Sequence, residues 1–358
     1  MAKLAKSLDN TGDSLRAIVY SAAVLIVVVL LAAMLERAQL LDTNMLLQER
    51  VGLDDYVDGT VPRPFAYRIL LPQILRGINA VTPAAAIDQL DRLGARIGRS
   101  GPYDIYPRDV VWLAVLQFAS LIGYALVGAS LYNALGSRER SWRQWIVAPV
   151  LLLFLVPIVH KGLGHIYDFT SLFFMAWLLW AMAGRRHALY LLVFAVSCLN
   201  KETTLLMSVA YAAVFFRRME TGRYVAMLAA QFAIFLAIHV PIRVIYKDNP
   251  GSGIQVHWHE QIPYYVSRLN NGYLLAIFSI AVVLLLALLA FRWNEKPQFL
   301  RRASLMIAPH MALFVYGAAP GEVRNLYEIV PLISMLILCS VASICSSAYY
   351  GRVLESKR

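Results

Sequence analysis

Long uninterrupted apolar runs constrain this chain more than any other feature of its sequence. A helix needs about 20 apolar residues to cross ~30 Å of hydrocarbon. Runs of roughly this kind recur at 17–35, 110–135, 145–160, 169–184, 187–200, 202–216, 224–246, 272–291, 303–318 and 326–347. They predict an all-α fold: a polytopic membrane helix bundle of about ten transmembrane helices. The runs at 145–160, 187–200, 202–216 and 303–318 are short, so they cross with little tilt or enter without crossing fully. Composition agrees, with 59% hydrophobic and only 15% charged residues, where a soluble domain carries ~25% charged. Disordered chains, collagen-like chains and ordinary cytosolic enzymes are excluded on that ground. The first run follows a basic segment and lacks a small-residue cleavage site, so it reads as an uncleaved span. Cys198, Cys339 and Cys345 form no CxxC pair and read as small core residues.

The formal net charge is +11. Lys and Arg in short loops orient a bundle, gathering on the cytoplasmic side. With both termini cytoplasmic, every inner segment is basic. Residues 1–16 are then the inner N-terminus, 17–35 the first span, 37–109 a long outer loop, 110–347 the remaining spans and 348–358 the inner C-terminus of a single integral-membrane domain. The inner segments hold eighteen of the 33 Lys and Arg against six acids. The excess is therefore a topological address, attractive to membrane lipids of negative charge, and needs no nucleic acid partner. Within the outer loop, Tyr67–Val81 and Pro83–Ile97 have apolar residues at near-helical spacing, such as Leu70, Leu71, Ile74 and Leu75. Short amphipathic helices lying on the outer membrane surface are expected there.

Acids, bases and histidines collect at the outer span ends. Asp54, Asp55 and Asp58 precede Arg63 and Arg68, which suits a carboxylate base beside phosphate-binding guanidiniums; a solvated loop of mutually paired charges is the plainer account. His165, Tyr167 and Asp168 follow a tight loop with His160 and Lys161, and Asp168 is also placed to cap the next helix. Lys201 and Glu202 share a short connection, where Lys201 either snorkels or meets a lipid phosphate that Glu202 orients. Glu322, Arg324 and Glu328 precede the last span, Arg324 being the best-placed anion ligand and Glu328 one helical turn beyond it. His257 and His259 alternate beside Glu260, but a zinc site wants three or four ligands and the helical HExxH spacing is absent. His239 and His310 read as core histidines. No P-loop, GxGxxG, GxSxG or kinase signature occurs.

This layout resembles the GT-C superfamily of integral-membrane glycosyltransferases, in its bacterial type. The strings RPFAYRILLP (63–72), HIYDFTSLFF (165–174), NKETTLL (200–206) and GEVRNLYEIVPL (321–332) carry the local similarity. The resemblance implies transfer of a hexosyl or pentosyl group from a polyprenyl-phosphate sugar to a glycan, lipid or protein acceptor. It implies an extracytoplasmic active site at a bacterial inner (plasma) membrane and a role in the cell envelope. It further implies that Asp54, Asp55 or Asp58, with Asp168 secondary, acts as base, that Arg63, Arg68, Lys201 or Arg324 holds the phosphate, and that His165, Tyr167, Glu202 and Glu322 position substrate. No cofactor is expected, and no divalent metal is required if cations neutralise the departing phosphate. The acids lie some 20 residues past the first span instead of immediately after it. A multi-span transporter or lipid flippase is the alternative. It predicts internal repeats and polar residues spread through the bilayer midplane; here the midspan polar residues are Gln117, Gln231 and His239, and no repeat is evident.

Overall fold

The computed structural model describes residues 21–38, 52–97, 107–136, 142–159 and 165–355. Several expected features fall outside that set: residues 1–20 with the start of the first span, 39–51 and 98–106 of the outer loop, His160 and Lys161, and the last residues of the C-terminus. Among the described residues the fold is all-helical, without a strand. In chain order, α1 is Ser21–Ala38 and α2 is Leu53–Asp58. The pair α3, Leu70–Val81, and α4, Ala84–Ile97, follows. Next come α5, Pro107–Ala134, α6, Trp142–Val159, α7, Asp168–Ala183, α8, His187–Asn200, and α9, Met207–Phe215. The chain continues through α10, Thr221–Ile245, α11, Trp258–Leu269, α12, Gly272–Ala290, α13, Gln298–Ala303, α14, Ile307–Gly317, and α15, Val330–Glu355.

Three of these, α1, α5 and α10, are long and apolar enough to cross a membrane by length and composition. The expected ten is thus not reached on length. Elsewhere the apolar helical stretches run 10–17 residues, as in Asp168–Ala183, Leu275–Ala290 and Val330–Ile344. Residues 202–206 and 304–306 tighten into 3-10 turns ahead of α9 and α14. At ~1.5 Å per residue, the nine residues of α9 rise only ~14 Å.

The amphipathic helices expected over 67–81 and 83–97 are present, as α3 and α4. Leu71 and Leu75 turn inward from α3 and join Leu53, Tyr56 and Val57 of α2 in a small core. Val110 and Leu113 of α5 and Ile166 and Tyr167 ahead of α7 complete it. This second core fastens the segment 53–75 to one end of the bundle. Gly59 ends α2 in the left-handed region at φ 78°, and its N–H returns to the Asp55 carbonyl.

The main core lies between α5, α7, α8, α9 and α15, where Tyr124, Phe169, Tyr190, Phe194 and Tyr211 are fully buried. Burial of each such ring contributes on the order of 2–3 kcal/mol. By contrast, α10 and α12 keep apolar side chains on the outside, including Phe232, Val240, Phe278 and Val283. His310 is buried on α14, its Nδ1–H donating to the Met306 carbonyl at 3.0 Å. His239 is buried on α10 with its ring 4.3 Å from that of Phe235.

Candidate functional site

The α7–α8 hairpin sets the geometry. Its two helices have 16 and 14 residues, so they rise ~24 Å and ~21 Å from their shared turn and end nearly level. The ends are stitched together. The Asn200 Nδ2 group donates to Ser171 Oγ at 2.9 Å and to the Tyr167 carbonyl at 3.3 Å, and Thr170 Oγ1 donates to Asn200 Oδ1 at 2.8 Å. Asp168 is 1% exposed and its Oδ2 accepts the His165 N–H at 2.8 Å, which closes the turn into α7. It is a local clasp and not the expected cap, because the N–H it accepts belongs to a residue before the helix and no side chain caps α7.

Tyr167 is the hub. The His165 ring stacks on it at 5.1 Å and the Tyr56 ring meets it edge-on at 6.4 Å. The Arg68 guanidinium sits 4.4 Å from its ring centre and hydrogen-bonds its hydroxyl, while the Lys201 ammonium lies 5.6 Å from the same centre. Arg68 also forks onto Glu202, with Nε–Oε2 at 3.1 Å and Nη2–Oε1 at 2.7 Å. A bidentate clamp of this kind fixes the plane of the guanidinium.

Lys201 does not snorkel, and its partner is Glu328 and not Glu202. The Lys201 Nζ–Glu328 Oε1 distance is 2.5 Å, with side chains 4% and 0% exposed. Thr203 Oγ1 donates to the same oxygen at 2.7 Å. Two ion pairs therefore stand near Tyr167, built from four segments apart in sequence: residues 63–68, 165–168, 200–203 and 328. The first pair is more open, with Arg68 10% and Glu202 27% exposed.

The acidic segment lies against this centre through Tyr56. Asp55 is taken up by its own helix, since its carboxylate accepts the Gly52 N–H and the Thr60 hydroxyl, each at 3.2 Å. Asp58 is exposed and Asp54 half-buried. A small cleft is lined by Tyr56 of α2, by Phe65, Arg68 and Ile69, and by Tyr246 just past the end of α10. Arg63 anchors the segment that follows α10, its N–H donating to the Pro250 carbonyl at 2.8 Å. Glu322 organises its own turn by accepting the Asn325 side-chain amide at 2.9 Å. Arg324 lies in the 3-10 turn Val323–Leu326, with its side chain outside the described set. His257 and His259 both meet Glu260, at 3.1 and 3.6 Å. Among the described residues no group of three or more His, Cys, Asp or Glu is placed to hold a metal ion.

Two residues join the cluster that sequence reasoning did not select. Glu328 is one: its spacing pointed to Arg324, one turn before it, and not to its partners Lys201 and Thr203. Arg243 is the other: it is exposed at the end of α10, with its guanidinium 5.5 Å from the centre of the Tyr67 ring. Its signal was available, because few cations occur in the expected outer loops. Chemically, the arrangement offers fixed cations, an aromatic floor and nearby carboxylates at one end of an apolar bundle. No family model, curated protein or solved structure matches this chain.

Proposed function

We propose that this chain is an integral-membrane glycosyltransferase that moves a sugar from a polyprenyl-phosphate donor to an acceptor on the extracytoplasmic face. One observation carries the reading. Arg68, Tyr167, Lys201, Glu202 and Glu328 converge from distant segments at one end of an apolar bundle, beside a short helix that bears three acids. The bundle supplies the lipid environment for a long donor chain. In this reading the ten-span topology is completed by the shorter apolar helices, with both termini inside at a bacterial inner membrane. The hairpin ends at Asp168 and Lys201 then lie short of the far boundary of a ~30 Å core. The site is a recess, where charges interact strongly because water is scarce.

The chemistry balances with groups of these types. A carboxylate takes the proton of the acceptor hydroxyl, that oxygen bonds the anomeric carbon, and the bond from this carbon to the donor phosphate oxygen breaks. Polyprenyl phosphate leaves with the electron pair. Asp54 and Asp58 suit the base better than Asp55, which is engaged in its helix, or Asp168, which closes its turn. Arg68 and Arg63, with Arg243 beside them, suit the leaving phosphate, Glu202 holding the guanidinium plane until phosphate competes for it. Lys201 is occupied by Glu328 and serves as a positioning residue, and Arg324 is the remaining candidate cation.

The test uses membranes containing the full chain and radiolabelled polyprenyl-phosphate sugars. Arg68→Ala is expected to lower transfer at least a hundredfold, and Arg68→Lys to recover part of it as a single point charge. Asp54→Asn or Asp58→Asn should abolish transfer. Full activity in Asp54→Asn, Asp55→Asn, Asp58→Asn and the triple variant would remove the loop acids as base. A second reading, transport or lipid flipping, is favoured by the buried Lys201–Glu328 pair, since ion pairs at membrane depth often line transport paths. It predicts translocation of lipid by the same membranes with no sugar transferred.

A further inference from the structure

The opposite end of the bundle carries a second charged centre. Two turns and a short helix meet there. Residues 184–186 join α7 to α8, residues 216–220 join α9 to α10, and α13 presents Arg302. They are tied together by contacts. The Tyr211 hydroxyl and His187 Nδ1 are 2.8 Å apart, and the His187 and Phe215 rings lie 5.1 Å apart. Arg302 Nη1 donates to the Phe216 carbonyl at 3.1 Å. This gathers Arg185, Arg186, Arg217, Arg218, Arg223 and Arg302 into one corner. Arg302 and Arg185 are near enough for their charges to act on Arg218, and Arg223 and Arg185 act likewise on His187. Among the described residues none of the six forms an ion pair with a carboxylate.

A topological address requires only that each inner loop be basic. It does not require two loops and a helix to be bound together with their cations gathered and without an ion pair among the described residues, which costs like-charge repulsion. Arg185 and Arg217 also hold left-handed backbones, at φ 54° and 57°, where glycine is the unstrained choice after a helix. Two of the arginines lie over aromatic rings, Arg186 4.0 Å over Trp180 and Arg217 5.4 Å over Phe216. The Trp180 indole is a ring that favours the headgroup zone.

We infer that this arginine corner is a binding site for the phosphate headgroup of an anionic phospholipid in the leaflet it faces. Guanidiniums match phosphate oxygens bidentately, and five of the six are exposed and free to turn toward it. The inference rests on the chain spanning a membrane and not on sugar transfer.

The full chain is purified in a neutral detergent, and retained lipids are counted by native mass spectrometry against added phosphatidylglycerol or phosphatidylcholine. The expected result is retained phosphatidylglycerol in preference to phosphatidylcholine. In the triple variant Arg185→Gln, Arg218→Gln, Arg223→Gln that preference falls by about tenfold or more. A matched triple elsewhere in the inner segments, Arg138→Gln, Arg140→Gln, Lys357→Gln, should leave it in place. Equal loss in both triples, or no preference in the wild type, overturns the site. Displacement of the lipid by millimolar inorganic phosphate overturns the headgroup assignment in favour of a free-anion site. The wild type alone gives a further check: the preference should weaken as salt rises from low to high ionic strength. Sugar-transfer activity is measured on the same preparations, so a failure of either idea leaves the other standing.

Discussion

Glu328 shows how burial changes the meaning of a charge. Its side chain is 0% exposed, and one oxygen takes both the Lys201 ammonium and the Thr203 hydroxyl. Removing one member of a buried pair leaves the other charge uncompensated, which costs about 3–5 kcal/mol, whereas replacing both with apolar residues of similar size is often nearly neutral. Glu328→Ala is therefore expected to destabilise by about that amount, and Lys201→Met with Glu328→Leu by far less. Thermal unfolding of the purified chain in detergent measures both. A double variant as unstable as the single would mean the pair adds net stability. Arg68–Glu202 is more exposed, so Glu202→Gln should cost less than Glu328→Ala. Most members of the cluster were legible in the sequence as outer-end ionisable residues, but their pairing was not. Spacing suggested Glu328 with Arg324, one turn apart. Spacing rules see only neighbours on one helix, and the 3-10 turn Val323–Leu326 ends before Glu328. A partner more than a hundred residues away leaves no local trace.

Helices were far easier to read than partners. The ranges of α5, α7, α8 and α10 fall within about three residues of the apolar runs that predicted them, because long runs state their own limits. What the runs concealed is where the backbone tightens, as at 202–206, since a hydropathy count is blind to a 3-10 turn. Contacts between elements were also hidden. Gly94 and Gly77 look alike in sequence, each inside an amphipathic helix, yet they sit in opposite surroundings. A Cβ on Gly94 would lie 1.8 Å from the Pro107 carbonyl oxygen, so α4 and the start of α5 can approach only without it. Nothing lies within 4 Å of a Cβ at Gly77. Gly94→Ala should thus destabilise by about 1–3 kcal/mol through forced separation of the two helices. Gly77→Ala should stabilise by about 0.5–1 kcal/mol through helix propensity and lost chain entropy. Opposite shifts in unfolding temperature are the expected readout. A destabilising Gly77→Ala would place a neighbour against that face of α3.

At the scale of the whole molecule, the question is which ends share a side of the membrane. The structure constrains that answer before any orientation is chosen. Asn249 donates to the carbonyls of Gly59 and Val61, each at 2.9 Å, so the segment after α10 is bound to the segment after α2. Asp58 and Asp248 must therefore face the same compartment. The turn 216–220 lies at the other end of α10, whose 25 residues extend ~37 Å, enough to span the hydrocarbon with tilt. Basic residues cluster at that turn, so the positive-inside rule predicts that it lies inside. With Cys198, Cys339 and Cys345 replaced by Ala, single cysteines at Asp58, Asp248 and Glu220 read the arrangement directly, since all three positions are exposed. A membrane-impermeant maleimide on intact cells should label positions 58 and 248 together, and position 220 only after permeabilisation. Labelling of 220 alone would invert the bundle and move the Arg68–Glu202 centre to the cytoplasmic face, where an extracytoplasmic transfer reaction has no place. Labelling of all three from one side would mean that α10 does not cross, and the membrane-spanning reading would fail with it.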